Sequence, residues 1–372
     1  MGFLRILLAL AVAIDHSGAG LRSQTLPGIV AVQAFFIISG FYMALILNRK
    51  YCFPGATKLF YQQRYLRLIP MYWFSILCTL GASGFYGRLG HHPAGKLQIW
   101  AEKGRDLSMA GLGLLLIAQL TMIGLDGLMF CAFSGHPLAP HFAAAWWQAP
   151  LPAVRFMLVP PAWSLSVELL FYLCAPFLVR RSIRTQLALA AATFALRFGA
   201  LSFFHLPAEP WNSRFFPFEA GMFLLGSAAY QMLPAVSRIV VRLPALRWIL
   251  TSLLFLLVSF YNRLPWVGET RHWIFLACVL CSTPLLFAAS ERDGIDRWIG
   301  EISYPLYLIH QVVYFAAEPV TRRMPGLATD LCALVLPLGA AAVVYALIER
   351  PFERWRARRF ERRLARAEAG TA

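Results

Sequence analysis

The chain has 372 residues, of which 59% are hydrophobic and only 14% are charged, and its mean hydropathy is +0.60. Soluble domains average about 25% charged residues, so the composition excludes an ordinary soluble protein. The formal net charge is +16, and the charges lie between apolar segments, where contact with acidic lipid headgroups explains them better than nucleic-acid binding. We therefore expect membrane lipid, and no nucleic acid, among the partners.

Apolar segments of span length recur from residue 28 to residue 348, without the alternating segments of a β-barrel. We therefore predict an all-α polytopic integral membrane protein. The ten predicted transmembrane helices lie at about residues 3–20, 27–48, 70–86, 161–179, 185–204, 215–233, 245–262, 271–289, 298–317 and 329–348. A further apolar segment, about 107–125, is predicted to be re-entrant, interfacial or otherwise incomplete.

The distribution of Lys and Arg among the loops predicts the orientation of these helices. With ten crossings, 22 of the 34 basic residues lie on the side of the two termini, 11 lie on the other side and Arg197 lies within a span. A complete crossing by 107–125 would export the arginine-rich tail, against the positive-inside rule. We therefore expect cytoplasmic N- and C-termini, with a transmembrane domain over 1–355 and a basic cytoplasmic tail over 356–372.

The first apolar segment, MGFLRILLALAVAIDHSGAG, carries polar residues near both ends. Arg5 and His16 are eleven positions apart, which places them within about 20° of one helix face and about 16 Å apart along the axis. That arrangement suits two groups lining one internal channel. Asp15 points off this face and is expected to pair with another helix. Two alternatives remain open: His16 is a hydrogen-bonded residue at the end of the span, or the segment is a signal peptide.

The stretch FYQQRYLRLIPMYWF contains two arginines three residues apart, Arg64 and Arg67. Such a pair points to one side of a helix and can bind one anion through paired donors. The alternative is that both arginines anchor the cytoplasmic end of a span. Pro70 fits the first turn of the following helix, and Tyr72 and Trp73 fit an interfacial aromatic belt.

The stretch PPAWSLSVELLFYL places Ser164, Ser166 and Glu168 in a segment that is otherwise apolar. No neighbouring Lys or Arg neutralises Glu168, so its carboxylate requires a partner from another helix or a role in chemistry. A functional role is favoured over a structural ion pair.

Two further polar positions lie near the end of the chain. His310 is inside the predicted span ISYPLYLIHQVVYF, where a hydrogen-bonding histidine and a site residue are equally compatible with the pattern. In IERPFERW, Glu349 and Arg350 are expected to clamp the end of the last span to neighbouring loops.

The sequence shows no HExxH, Walker, GxGxxG or GxSxG motif. His91, His92, His136 and His141 lie in the predicted outer segment without the spacing of metal ligands. We therefore predict no metal site and no nucleotide hydrolysis.

Six of these stretches, in this order, resemble the motifs of the membrane acyltransferase family 3, the O-acetyltransferases of bacterial exopolysaccharide, O-antigen and Nod-factor modification. They are Arg5 followed by ten residues and His16, then QAFFIISGFYM, RYLRLIPMYW, PAWSLSVELLFYL, YPLYLIHQ and IERPFERW. The likeness extends from Arg5 to Trp355. Phe3, Leu4 and Asp15 depart from the family pattern, in which many relatives have a glycine beside the first basic residue and no Asp before the histidine.

The resemblance implies an enzyme of the inner membrane that moves an acyl group, usually acetyl, from cytoplasmic acyl-CoA to a sugar hydroxyl. It implies that His16 is the general base or a transient acyl acceptor and that Glu168 orients a histidine or the acceptor. It also implies that Arg64 and Arg67 hold CoA phosphates, while Arg5 lines the cytoplasmic route. Acyl-CoA is then a donor substrate, and no cofactor is bound permanently.

We further expect supporting or substrate-contacting roles for other residues of these stretches. These are Asp15, Trp163, Ser164, Ser166, His310 and Arg350. The implied partners are a glycan or lipid-linked saccharide acceptor and the machinery that assembles glycans. Two rival functions use the same polar residues differently: an exporter of a small solute or glycan precursor, and a non-catalytic membrane subunit.

Overall fold

The computed structural model describes residues 1–90 and 95–369, and this part of the chain is built almost entirely of helices. Its α-helices are α1 (Gly2–His16), α2 (Gly28–Arg49), α3 (Ala56–Leu89), α4 (Leu97–Lys103), α5 (Met109–Thr121), α6 (Trp163–Leu178), α7 (Ile183–Phe203), α8 (Ala208–Arg214), α9 (Phe216–Gln231), α10 (Leu233–Arg242), α11 (Leu246–Ser259), α12 (Glu269–Ser290), α13 (Gly294–Thr321), α14 (Gly326–Val344) and α15 (Arg350–Ala369). A π-helical turn, Tyr345–Glu349, joins α14 to α15.

Helix α1 lies at the centre of the bundle, in contact with α2, α11, α13 and α14. A helix that is apolar on every side is stable inside a bundle, and Leu8, Ala9 and Ala13 are completely enclosed. The helix ends at His16 rather than at the predicted residue 20. The reason is local: Gly18 has a φ of +69°, a left-handed conformation that favours the end of a helix.

The start of α1 is fixed against α13. The carboxylate of Asp296 accepts hydrogen bonds from the backbone N–H groups of Gly2 (2.7 Å) and Phe3 (3.1 Å), donors that the first turn of a helix leaves without a partner. Gly300 allows the close approach, because a Cβ at that position would lie 2.6 Å from the Cα of Gly2. These contacts determine how deep Arg5, one turn further along, sits in the bundle.

Two glycines allow α2 and α9 to pack with their backbones almost touching. A Cβ at Gly40 would lie 1.9 Å from the carbonyl oxygen of Phe223, and a Cβ at Gly226 would lie 1.8 Å from that of Ile37. Backbone atoms cannot move aside as a flexible side chain can, so both positions exclude any larger residue. Gly40 belongs to the FFIISGF stretch, and this packing is a structural reason for its glycine.

We expect Gly226→Leu to separate α2 from α9 and to destabilise the bundle. Overpacking of a tight interior costs about 1–3 kcal/mol, and more where backbone is in the way. Thermal unfolding in detergent should therefore begin at a lower temperature for this variant. Gly339→Leu, at a position in α14 with open space around the Cβ, is the matched control; equal stability of the two variants would contradict the packing argument.

Helix α3 is longer than the sequence predicted. It is continuous over 34 residues, about 51 Å at 1.5 Å per residue, whereas the prediction began a span at Pro70. Pro70 instead lies inside the helix, because a proline can bend a helix without ending it. As a result, Arg64 and Arg67 lie on the same helix as the predicted span, on the N-terminal side of Pro70.

The segment predicted at 107–125 forms α5, a helix of 13 residues. Its length is about 20 Å, shorter than a bilayer core of about 30 Å. Three side chains of α3 donate hydrogen bonds to its last carbonyl groups, which a helix end leaves unsatisfied. The pairs are Tyr65 with Thr121 (3.2 Å), Tyr72 with Gln119 (2.8 Å) and Trp73 with Leu120 (3.1 Å). Tyr72, predicted for an interfacial belt, is in fact buried against α5.

A short hairpin follows α5. Its strands are β1 (Cys131–Ser134) and β2 (Ala139–Phe142), which pair antiparallel with Cys131 opposite Phe142. His141 contacts Ser134 across this hairpin, and His136 is exposed in its turn. His91 and His92 lie outside the described residues.

An ion pair is buried between α7 and α9. Arg197 and Glu219 are both 0% exposed, with Nη1 and Oε1 3.2 Å apart. The Nε of Arg197 also donates to Asn212 Oδ1 at 2.6 Å, and Gln33 Nε2 donates to Glu219 at 2.8 Å. Arg197, which the sequence analysis placed within a span, is thus neutralised by Glu219 of a neighbouring helix, as buried charges require.

Six helices in the described part of the chain are long and apolar enough to cross a membrane. They are α2, α3, α6 with the turn before it, α7, α12, and α14 continued through α15 to Leu364. The stretch Ala208–Gln231, which contains α8 and α9, qualifies together with α10 as one span bent by 61°. Each of the ten predicted segments contains a helix, but α1 and α11, with 15 and 14 residues, are short. The ten-span topology therefore stays a prediction.

The last helix, α15, packs against the start of α3. Arg356 Nη1 donates to the carbonyl oxygen of Gln63 at 3.1 Å, and Arg363 contacts the side chain of Gln62. The predicted domain boundary between residues 355 and 356 lies within this continuous helix.

Candidate active site

A cavity of about 460 Å³ opens among α1, α2, α3, α6 and α13. The helix contacts described above bring to its wall polar residues from three of the stretches that the sequence singled out. They are Arg5, Arg64, Arg67, Ser164 and Glu168. The cavity therefore unites residues separated by more than 100 positions in the chain.

Three guanidinium groups face this cavity, those of Arg5, Arg64 and Arg67. None of them forms an ion pair with a carboxylate in the part of the chain that the structure describes. The Nε of Arg64 is buried and has no hydrogen-bond partner.

Five carboxylates also line the cavity, and three of them are paired with other cations: Asp296 with the N-terminal ammonium, Glu291 with Arg49 and Glu353 with Arg356. Guanidinium groups that form no ion pair in a site of low dielectric favour the binding of an anion. The cavity can therefore hold a group that carries several negative charges.

The carboxylate of Glu168 lies in the same cavity, held by two hydroxyl groups. Ser39 of α2 donates one hydrogen bond to Oε1, and Tyr172 donates another at 2.7 Å. The predicted partner from another helix is thus Ser39. These hydrogen bonds are to hydroxyl groups and not to a histidine, and the proposed orienting role of Glu168 stays a prediction.

Tyr307 and Ser164 line the side of the cavity that is formed by α13 and α6. Their hydroxyl oxygens are 2.7 Å apart and lie 2.9 and 3.2 Å from the carbonyl oxygen of Pro161. Each hydroxyl has one hydrogen, so one of them donates to the carbonyl oxygen and the other donates to its hydroxyl neighbour. Tyr307 is followed on the next turn of α13 by His310, with ring centroids 6.3 Å apart. Tyr307, which lines the cavity, is therefore adjacent to His310.

His16 and His310 form a pair of imidazoles at the opposite end of α1 from Arg5. His310 is completely buried and His16 is partly open to solvent. His310 Nε2 is 3.2 Å from His16 Nδ1, and the ring centroids are 5.1 Å apart. The sequence predicted one channel lined by both Arg5 and His16. In the structure Arg5 lines the cavity, whereas His16 and His310 do not; His310 is adjacent to Tyr307, which does.

The hydrogen bonds of this pair determine which nitrogen atoms carry protons. His16 Nδ1 lies 2.9 Å from the carbonyl oxygen of Val12, and His310 Nδ1 lies 3.2 Å from that of Leu306. A carbonyl oxygen only accepts, so each neutral imidazole holds its proton on Nδ1. His310 Nε2 then accepts part of the hydrogen bond from His16 Nδ1–H, and His16 Nε2 keeps a free lone pair. That lone pair can accept a proton or attack a carbonyl carbon.

Other predicted site residues lie around this end of the bundle. Trp163 is buried beneath the guanidinium of Arg214, whose central carbon is 4.3 Å from the ring centroid. Asp15 was expected to pair with another helix, but its charged partner is Arg22, 3.2 Å away in the turn after α1. The reason is that α1 ends at His16, so Asp15 reaches the turn that follows.

Ser166 and Arg350 do not line the cavity. Ser166 donates to Asp126 Oδ1 at 2.6 Å and accepts a hydrogen bond from the backbone N–H of Gly124 at 3.0 Å, so it joins α6 to the segment after α5. Arg350 is exposed, whereas its neighbour Glu349 is buried. In the pair that was expected to clamp the helix end, Glu349 is the residue that faces the bundle.

Sequence reasoning missed Ser39, Tyr172 and Tyr307 as site residues. All three lie inside stretches that were quoted as motifs, FFIISGF, WSLSVELLFYL and YPLYLIH. Serine and tyrosine are common in apolar helices, so their presence alone gave no signal. Their contacts with Glu168 and Ser164 are revealed by the distances in the structure, within α6 for Tyr172 and across helices for Ser39 and Tyr307.

These features define a helical, multi-pass membrane protein with a cationic cavity next to a histidine pair. A family model described as an acyltransferase domain matches residues 1–347. The chain belongs to the membrane acyltransferase family 3, as its six motifs predicted, and it is accordingly a membrane acyltransferase. No match was found among curated proteins or among solved structures.

Proposed function

We propose that the chain is an integral membrane O-acyltransferase that uses acyl-CoA, in particular acetyl-CoA, as donor and acylates a hydroxyl of a cell-envelope or secreted glycan. The observation that carries the proposal is the cavity with three guanidinium groups that lack ion pairs. CoA is a polyanion, and guanidinium groups bind phosphate through paired donors. The thioester at the other end of the CoA arm would extend toward Tyr307 and the histidine pair.

We further propose ten spans, cytoplasmic termini and residence in the inner membrane. The cationic cavity lies at the end of the bundle where α1 begins and α2 ends. Basic loop residues gather at this end: Arg180 donates to the carbonyl oxygens of Leu47 and Tyr51, and Arg49 pairs with Glu291 at 2.6 Å. The positive-inside rule assigns such an end to the cytoplasm, where acyl-CoA is found.

The same proposal describes 107–125 as re-entrant. Helix α5 is too short to cross, and its last carbonyl groups are capped by side chains of α3. A helix end at membrane depth requires such partners, because lipid offers none. The chain then returns to the side from which it entered.

The chemistry requires one base near the thioester. The oxygen of the acceptor hydroxyl forms a bond to the carbonyl carbon of the thioester, and the carbon–sulfur bond breaks. His16 Nε2 takes the proton of the hydroxyl and passes it to the departing thiolate, so no proton is gained or lost overall. In the relay version, Nε2 attacks the carbonyl carbon and the carbon–sulfur bond breaks to release the thiolate. The acceptor oxygen then attacks the same carbon, the carbon–nitrogen bond breaks, and the hydroxyl proton passes to the thiolate.

The experiment that tests this function supplies isotope-labelled acetyl-CoA to membranes that contain the protein. We expect the label to appear as ester on envelope or secreted glycans, detected by mass spectrometry, and to be missing in membranes without the protein. If the label stays on CoA while a saccharide crosses the membrane, the protein is an exporter and the proposal is wrong.

A further inference from the structure

A second cavity, of about 350 Å³, lies between the end of α13 and the start of α14. This volume falls within the range of about 300–1,000 Å³ that small-molecule sites occupy. The cavity shares no lining residue with the one that holds the three arginines, so it is a separate site. Its polar and aromatic lining comes from both helices and from the residue that follows α1: Ser17, Tyr314, Phe315, Glu318, Thr321 and Thr329.

The histidine pair lies between the two cavities. On α13, Tyr307 comes one turn before His310 and lines the cationic cavity, whereas Tyr314 comes one turn after it and lines the second cavity. The ring centroids of the two tyrosines are 6.3 and 6.1 Å from that of His310. Ser17, which also lines the second cavity, directly follows His16 in the chain. A ligand in either cavity is therefore close to the same two imidazoles.

The polar groups of the second cavity are acceptors of hydrogen bonds. The hydroxyl of Thr321 donates its one hydrogen to the carbonyl oxygen of Ala317 (3.2 Å), and that of Thr329 donates to the carbonyl oxygen of Met324 (3.3 Å). Each hydroxyl oxygen therefore has only lone pairs to offer a ligand. The carboxylate of Glu318 is an acceptor too, and it forms no ion pair with any residue that the structure describes.

This lining selects a neutral ligand that presents several hydrogen-bond donors. No lysine or arginine is among the described residues that line the cavity, so the charge of Glu318 repels an anion such as a phosphate. The hydroxyl of Tyr314 donates to the carbonyl oxygen of Ala333 at 2.8 Å, which fixes its ring beside Phe315. The negative faces of aromatic rings attract the C–H groups of a sugar. A saccharide offers both these C–H groups and hydroxyl donors.

We propose that the second cavity binds the saccharide acceptor, with Glu318 accepting hydrogen bonds from its hydroxyl groups. The inference rests on the proposed function and adds the place where the acceptor binds. Donor and acceptor then approach the histidine pair from two different cavities. The end of α13 is the outer end of this helix in the proposed topology, which is the side where envelope glycans are found.

The test uses a water-soluble oligosaccharide fraction, released from the cell envelope by mild acid, as acceptor for labelled acetyl-CoA and the full-length protein in lipid nanodiscs. We expect Glu318→Gln to raise the KM for this saccharide by about tenfold or more, the effect of weakening a hydrogen bond to a charged group. The kcat and CoA binding should not change. Glu269→Gln alters a carboxylate that is 67% exposed and lines neither cavity, and it should keep the original KM.

A second variant fills the cavity. Ala317 lines it from α13, whereas Val320 of the same helix is 62% exposed and does not line it. We expect Ala317→Trp to lower transfer to the saccharide by about tenfold to a hundredfold, because the added ring occupies the space of the ligand. CoA binding should be retained. Val320→Trp is the matched control and should transfer at the unmodified rate.

The outcomes separate this inference from the proposed function. An unchanged KM in Glu318→Gln, or unchanged transfer in Ala317→Trp, overturns the acceptor site while the enzyme remains an acyltransferase. If Ala317→Trp loses CoA binding as well, its fold is disturbed and Glu318→Gln decides alone. Losses seen only with glycan that is still attached to its lipid carrier indicate a lipid site and overturn the inference. If the unmodified protein transfers no label, the proposed function fails and this inference fails with it.

Discussion

His16→Ala is expected to reduce acyl transfer by about a hundredfold to ten-thousandfold, the usual contribution of a general base. The reason is that Nε2 of His16 carries a free lone pair, since Nδ1 is occupied by Val12 and His310. Transfer from labelled acetyl-CoA in membranes measures the loss. The variant should insert normally and bind CoA normally, because His16 lies outside the cationic cavity.

His136→Ala is the matched control, since His136 is exposed in the turn of the hairpin. It should transfer acyl groups at the unmodified rate. Undiminished transfer by His16→Ala would remove His16 from the mechanism. Loss of insertion or of CoA binding in that variant would instead indicate a structural role.

Replacing Arg64 and Arg67 together by alanine should weaken acyl-CoA binding by about a hundredfold to ten-thousandfold. Each lost hydrogen bond to a charged group costs about 1.5–3 kcal/mol, and two such losses give this range if they add. Both arginines face the cavity and form no ion pair with any residue that the structure describes, so their removal breaks no salt bridge in that part of the chain. CoA binding to the purified protein checks the expectation.

Acceptor binding by the same double variant is the comparison for its acyl-CoA binding. Acceptor binding should change little, because the arginines lie at the cavity end far from the histidine pair. Equal losses for donor and acceptor would argue that Arg64 and Arg67 hold the fold together. Arg88→Ala, near the opposite end of the same long helix, should leave the affinity for both substrates unchanged.

The helices and the family could be predicted from the sequence, because both depend on local patterns. Apolar segments of span length mark helices wherever they occur. The six motifs are short, contiguous stretches, so each can be read directly in the sequence. The clustering of Arg5, Arg64 and Glu168 around one cavity could also have been predicted, because charged residues inside a membrane are stable only in polar surroundings that they share.

Features that depend on contact across helices could not be predicted. Pro70 gave a sound local signal for a helix start, but packing of α3 against α5 and α13 continues the helix through it. Arg350 and Glu349 are neighbours in sequence, and only the direction of the helix decides that Glu349 is the buried one. Arg356 gave no signal, because a basic tail looks the same whether or not it docks.

The caps that α3 places on the end of α5 link two distant parts of the molecule. Tyr65 is adjacent to Arg64 in the chain, and its hydroxyl group holds the carbonyl of Thr121. Sliding α5 along its axis would break this bond and those from Tyr72 and Trp73 together. These hydrogen bonds therefore fix the position of α5, and of the hairpin that follows it, relative to the arginines of α3. A movement of the hairpin along α5 would pull on α3, and a movement of α3 would pull on the hairpin.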